Sequence, residues 1–166
     1  MYKLINVFTD MKKLKYIFFS LFAIVALAAC DTYGDYDTEY SPVYPLSGQY
    51  NVTVYDASGT AIDGTYLYLY NTTDNDNDKL WVRMSRSGYG ENWGSILVKV
   101  SCDVKALTFG DGNTVSDGKL ELNGASTPSG GKADAVSLSF KIDGVSYTAK
   151  GYRWSGWEED DTFGSY

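Results

Sequence analysis

The sequence has no histidine among its 166 residues. That absence excludes Ser-His-Asp and Cys-His nucleophilic catalysis, histidine general-base chemistry and histidine metal ligation. The Gly-x-Ser-x-Gly nucleophile elbow is missing too. Cysteine is limited to Cys30 and Cys102, and proline to Pro42, Pro45 and Pro128. Positive charge is scarce, with 14 Lys and Arg against 21 Asp and Glu and a net charge of −7. Phosphate backbones reward the opposite sign, so no nucleic-acid partner is expected. After Cys30 no window of a dozen residues shows an apolar repeat of 3.6, so essentially no helix is expected there.

What is present is apolar and aromatic. Hydrophobic residues make up 44% of the chain and aromatics 16%, enough to bury a core and offset the entropy of ordering. The length suits one domain.

The N-terminal stretch reads as an address. Lys12, Lys13 and Lys15 precede an apolar run from Tyr16 to Leu27, and Ala28 and Ala29 lead into Cys30. The run is too short and wrongly flanked for a stable spanning helix and has the form of a secretory signal. Its ending, Leu27-Ala28-Ala29-Cys30, resembles the bacterial lipobox. That resemblance implies cleavage before Cys30 and lipidation of its thiol, with residues 1–29 as signal peptide and Met11 as the expected start. Removing 1–29 takes away four lysines and Asp10, leaving ten bases, twenty acids and a net charge of −10. Anionic headgroups repel such a body, so acyl chains on Cys30 are expected to hold it at the membrane. With Cys30 acylated, Cys102 has no disulfide partner and reads as a small residue at a strand end.

Residues 30–47 carry Asp31, Asp35, Asp37 and Glu39 without any structural period and are read as a solvated tether. Acids just after a lipidated cysteine also resemble the export signal of Bacteroidetes surface lipoproteins. The expected location is therefore the cell envelope, as an outer-membrane lipoprotein facing either the periplasm or the outside.

From residue 48 to 166 the pattern has period two, as side chains alternate faces along a strand. Tyr50, Val52 and Val54 form one such set; Leu80, Val82 and Met84 another; Ile96, Val98 and Val100 a third. Leu120 and Leu122, and Val136, Leu138, Phe140 and Ile142, continue it. Turn signals separate these runs, and Asp143-Gly144 is the best hairpin signal. Eight strands are expected at about 48–56, 64–71, 79–86, 95–101, 104–110, 118–123, 134–142 and 145–154. Short connections make neighbours antiparallel, so the fold is expected to be an all-β, antiparallel eight-stranded barrel; the alternative is a two-sheet β-sandwich.

A barrel of this size either fills with side chains or holds one small ligand. Tyr66, Tyr68 and Tyr70 share one strand face, and Trp81 lies opposite Leu80 and Val82. Trp154 and Trp157 flank the end of the last strand beside Arg153. These aromatics combine an apolar body with a polar tip and are the candidates for ligand contact, with Arg153 as polar anchor. Against this stands the strand preference of Tyr and Trp for purely structural reasons. Glu158, Glu159, Asp160 and Asp161 are the only acids offered for a carboxylate-dependent hydrolase, but consecutive acids do not by themselves face each other across a cleft. Asp74, Asp76 and Asp78 alternate like the start of a calcium loop, although Lys79 and Ser85 stand where glycine and glutamate belong. No metal and no cofactor is expected.

Four motifs occur in order behind the lipobox: Leu46-Ser47-Gly48-Gln49-Tyr50, Lys79-Leu80-Trp81-Val82, Thr127-Pro128-Ser129-Gly130-Gly131 and Gly151 to Asp161. Together they resemble the Bacteroidetes lipid-binding putative hydrolase family over roughly residues 46 to 161. The resemblance implies a secreted, calycin-like (lipocalin-type) barrel lipoprotein that binds a lipid-like ligand, and it transfers no catalytic residue. The function expected is capture of a small apolar or amphipathic ligand. The alternatives are a surface adaptor binding a glycan or partner protein through its aromatic face, and a carboxylate-dependent hydrolase.

Overall fold

A computed structural model describes residues 15, 16, 19, 39–86 and 93–163. The chain divides into two compact units, Met1–Glu39 and Tyr40–Tyr166. In the first, the described Lys15, Tyr16 and Phe19 are helical and exposed. Cys30, the rest of the leader and the acids of 31–38 lie outside the described residues.

The second unit holds eight strands: β1 (Gly48–Tyr55), β2 (Ala61–Asn71), β3 (Lys79–Ser85), β4 (Ser95–Asp103), β5 (Thr108–Gly110), β6 (Val115–Ser126), β7 (Lys132–Ile142) and β8 (Val145–Arg153). Each pairs antiparallel with the next, and β8 pairs back onto β1, so the sheet closes as an up-and-down barrel. Closure leaves no unpaired edge strand to template aggregation and excludes the sandwich. The only helical element of this unit among the described residues is a single 3-10 turn, Glu158–Asp160.

The alternation read from sequence sets the inner face. Tyr50, Val52 and Val54 lie level with Leu67, Thr65 and Asp63 on β2 and with Arg153, Gly151 and Ala149 on β8. Leu80, Val82, Met84, Ile96, Val100, Val136, Leu138 and Phe140 join them in one buried cluster. Each such aliphatic side chain contributes about 1.5–3 kcal/mol when fully buried. Gly151 makes the tightest crossing: a Cβ there would lie 1.8 Å from the Asn51 carbonyl oxygen. Only glycine lets β8 pass that close as the sheet coils shut.

Both barrel ends are stoppered. At the end where β1 starts, Val43 and Leu46 are fully buried, and the Tyr50 hydroxyl donates to the Leu46 carbonyl at 2.8 Å. Residues 43–47 are thus part of the folded unit and not of the solvated tether expected to run to 47; their two apolar side chains find the core. At the other end Trp93 is buried, donates its Nε1–H to Asp63 Oδ2 at 2.7 Å, and packs edge-on to Phe140.

Two strands depart from expectation. β5 holds three residues, because residues 104–107 form a turn in which Asp103 Oδ1 accepts from the Lys105 and Ala106 amides. Leu122, expected to point inward, is 62% exposed. A register shift between Glu121 and Ala125 interrupts the pairing, which resumes at Ala125, and Asn123 takes a positive φ of 53°. Leu122 therefore falls in the unpaired bulge of β6 and turns to solvent.

Candidate functional site

The reversed faces of β2 and β3 decide where the aromatic candidates go. Leu67, Leu69, Leu80, Val82 and Met84 point inward, so Tyr66, Tyr68, Tyr70 and Trp81 are on the outer surface. Tyr70 is level with Trp81, and Trp81 with Lys99; Tyr68 is level with Arg83, and Arg83 with Leu97. The Arg83 guanidinium carbon stands 5.8 Å from the centre of the Tyr68 ring, within cation–π range.

Tyr66, Arg153 and the acidic run serve the fold. The Tyr66 hydroxyl donates to the Asp161 carboxylate at 2.6 and 2.7 Å, and its ring meets Phe163 edge-on. Arg153 donates Nη1 to the Ser47 carbonyl at 2.7 Å and Nη2 to the Pro45 carbonyl at 2.8 Å. Its Nε lies 3.1 Å from Asp134 Oδ2, and its guanidinium covers the Tyr50 ring. Burial pushes the Tyr50 phenol up to about 12, with Arg153 acting against that shift. Arg153 therefore clasps the segment 45–47 to the barrel.

Residues 154–163 form a strap across β1 and β2. The Trp154 amide donates to the Gln49 carbonyl, and Asn51 Nδ2 and the Tyr152 hydroxyl both donate to the Asp160 carbonyl. The Asp160 carboxylate accepts from Ser155 Oγ at 2.5 Å and from the Ser129 amide at 2.8 Å. The Ser155 hydroxyl, helped by Ser129 and Thr127, holds it down at about 2. Asp160 is buried where a solvated acid run was expected, whereas Glu158 and Glu159 are exposed. Trp154 is partly exposed and Trp157 is 69% exposed. Alternation puts Asn51 on the face opposite Tyr50, and the exposed Ser129 lies in the motif Thr127 to Gly131; neither signals the capping geometry, which exists only once the strap has folded back.

The loop before β3 does not gather its acids. Thr72 Oγ1 donates to Asp76 Oδ2 at 2.9 Å and accepts from the Asp76 amide, closing a turn. Asp74, Asp76 and Asp78 do not converge, and among the described residues no group of three acids or thiols is placed to hold a metal.

Among the described residues, two sizeable depressions lie on the outer wall. One, of about 620 Å³, lies between the β1–β2 turn and the outer side of β7 and β8, beside Tyr55, Ser139, Thr148 and Lys150. The other, of about 710 Å³, is an open groove over the seam β4–β5–β6. This seam is the least paired part of the barrel, with three register pairs between β4 and β5 and two between β5 and β6. Half-buried Cys102 and buried Phe109 reach the groove from the core side, between Gly110, Gly112 and Gly118. Gly118 is obligatory, since a Cβ would meet the Phe109 carbonyl oxygen at 2.3 Å and its ring at 2.5 Å. Burial, with Asp78 and Asp103 nearby, pushes the Cys102 thiol up, so it stays protonated at neutral pH. Ser101, Thr108 and Ser116 hydroxyls line the rim with Asp103, Asp117 and Lys119.

Comparison with known proteins adds a family. A family model described as lipid-binding putative hydrolase matches residues 35–158, a stretch holding all eight strands. Among solved structures, a redesigned β-barrel is similar at 12% identity and a TM-score of 0.38, covering 72% of this chain and 100% of that one. No curated protein matches.

Proposed function

Since the chain belongs to the lipid-binding putative hydrolase family, we propose that it is a lipid-anchored envelope protein that holds one amphipathic, lipid-like ligand against its barrel, in the groove over the β4–β5–β6 seam. The observation that carries this reading is the groove itself. There Phe109 of the core and Cys102 packed against it meet a depression whose volume falls within the roughly 300–1,000 Å³ of small-molecule sites. Val43 and Leu46 at one barrel end and Trp93 at the other block an axial approach, which leaves the seam as the route for an apolar tail. Hydroxyls and charges of both signs at the rim suit a neutral or zwitterionic head better than a fully anionic one. Cys30 supplies the membrane attachment in this reading, with the barrel in the periplasm or at the cell surface. The role is binding: Asp160 and Asp161, the acids a hydrolase would recruit, hold the strap in place.

Alkylation of Cys102, read on its own peptide by mass spectrometry, tests this directly. Dodecylphosphocholine below its micellar limit should slow the reaction about tenfold, the protection expected when a site is some nine-tenths occupied. Ser116→Trp, which fills the groove, should remove the protection by the amphiphile. An alkylation rate indifferent to the amphiphile would overturn the assignment.

A further inference from the structure

The outer face of β2, β3 and β4 sets cations among aromatic rings. Its register positions form three cross-strand rows: Tyr68–Arg83–Leu97, Tyr70–Trp81–Lys99, and Lys79–Ser101. Each row carries a cation, and none carries a carboxylate. Neighbours within a row are about 5 Å apart at Cβ, and successive rows on one face about 7 Å apart. Arg83, Lys99 and Lys79 therefore mark out a strip about 14 Å long with Trp81 at its middle. The ion pairs among the described residues are Lys119–Glu121 and Arg153–Asp134, so all three of these cations are without an acidic partner there. In a chain of net charge −7, three uncompensated cations set among three aromatic rings are a local reversal of sign.

We propose that this face binds a single chain of acidic polysaccharide. Aromatic rings offer faces to the C–H surfaces of sugar rings, and Arg and Lys pair with uronate carboxylates, Arg by a two-pronged contact. The site borders the groove over β4–β5–β6 at Ser101 and takes a different class of ligand. A bilayer fits less well. Trp81 and Tyr68 are half-buried at the level of the sheet and do not protrude as wedges; the strongly exposed apolar side chain is Leu97 alone, at 62%. A bilayer is also a wide plane. It would bring its anionic headgroups against Asp74, Asp76 and Asp78, in the loop that leads into Lys79. A single polymer strand touches only the strip.

Retention of the full chain on beads bearing polygalacturonate, with the methyl-esterified polymer as neutral control, tests the proposal. The acidic polymer should bind at least about tenfold more tightly, the equivalent of one charge-assisted contact, and binding should weaken as salt rises. Arg83→Gln with Lys99→Gln should lose about tenfold on the acidic polymer and little on the neutral one. Trp81→Ala should weaken both. The two charge substitutions lie on exposed side chains, so an unchanged melting temperature keeps the result interpretable even where Trp81→Ala fails to fold. Equal retention of the double variant and the parent overturns the proposal. So does binding to phosphatidylglycerol vesicles that the double variant abolishes while polygalacturonate is ignored.

Discussion

Phe140 stacks on Tyr147 with ring centres 5.3 Å apart and meets Trp93 edge-on at 5.4 Å. Phe140→Ala should cost about 3–5 kcal/mol in chemical denaturation, since the two rings cannot collapse into the space left. Its inward position was legible from the alternation of β7. Trp93 was not, because it lies in a glycine-rich connection with no period to place it. Asp160 shows a second limit of sequence reading. Four consecutive acids look solvated, and only the folding back of the strap brings the Asp160 carboxylate to Ser155 Oγ and to the Ser129 amide of the β6–β7 turn. The folded Asp160 sits at about 2, below its ordinary 3.8, so its contribution is present above about pH 4 and lost as pH falls toward 2. Asp160→Asn should lower the melting temperature at pH 7 and reduce the loss of stability between pH 4 and 2 relative to the parent. Parallel acid limbs in the two proteins would remove the linkage argument.

Strands differ in how firmly they are held. β7 runs eleven residues and is paired along both sides, whereas β5 contributes only Thr108, Phe109 and Gly110. Native-state hydrogen exchange should therefore show the amides of β5 opening first among the strands and those of β7 last. The expected strand boundaries matched closely wherever alternation was clean, as in β1, β3, β7 and β8. They failed in β5, where Asp103 caps a turn that a run of mixed residues does not announce, and in β6, where Asp117 and Asn123 take positive φ values of 54° and 53°. A register shift cannot be read from composition because it depends on the neighbouring strand. Gly151 is the clearest single test of barrel closure. Gly151→Ala places a methyl group against the Asn51 carbonyl and should destabilise by at least about 1–3 kcal/mol.

At the scale of the whole molecule, period-two patterning with short connections pointed to an all-β barrel, with a sandwich as alternative, and the same patterning placed Tyr66, Tyr68 and Tyr70 on one face of β2 and Trp81 opposite Leu80 and Val82 on β3. It left open which face of each strand was wet. Leu67, Leu69 and Val82 settle this by filling the interior, so the aromatic set belongs to the outer wall. The groove over the seam had no sequence signal, since it arises from the shortness of β5 and from glycines whose packing partners are remote in the chain. The most direct measurement is native mass spectrometry of the parent and Ser116→Trp, each equilibrated with a single-chain zwitterionic amphiphile. One bound amphiphile per parent chain, absent from the variant, is the predicted result; a parent spectrum without adduct, or identical adducts on both proteins, would contradict lipid capture at the seam.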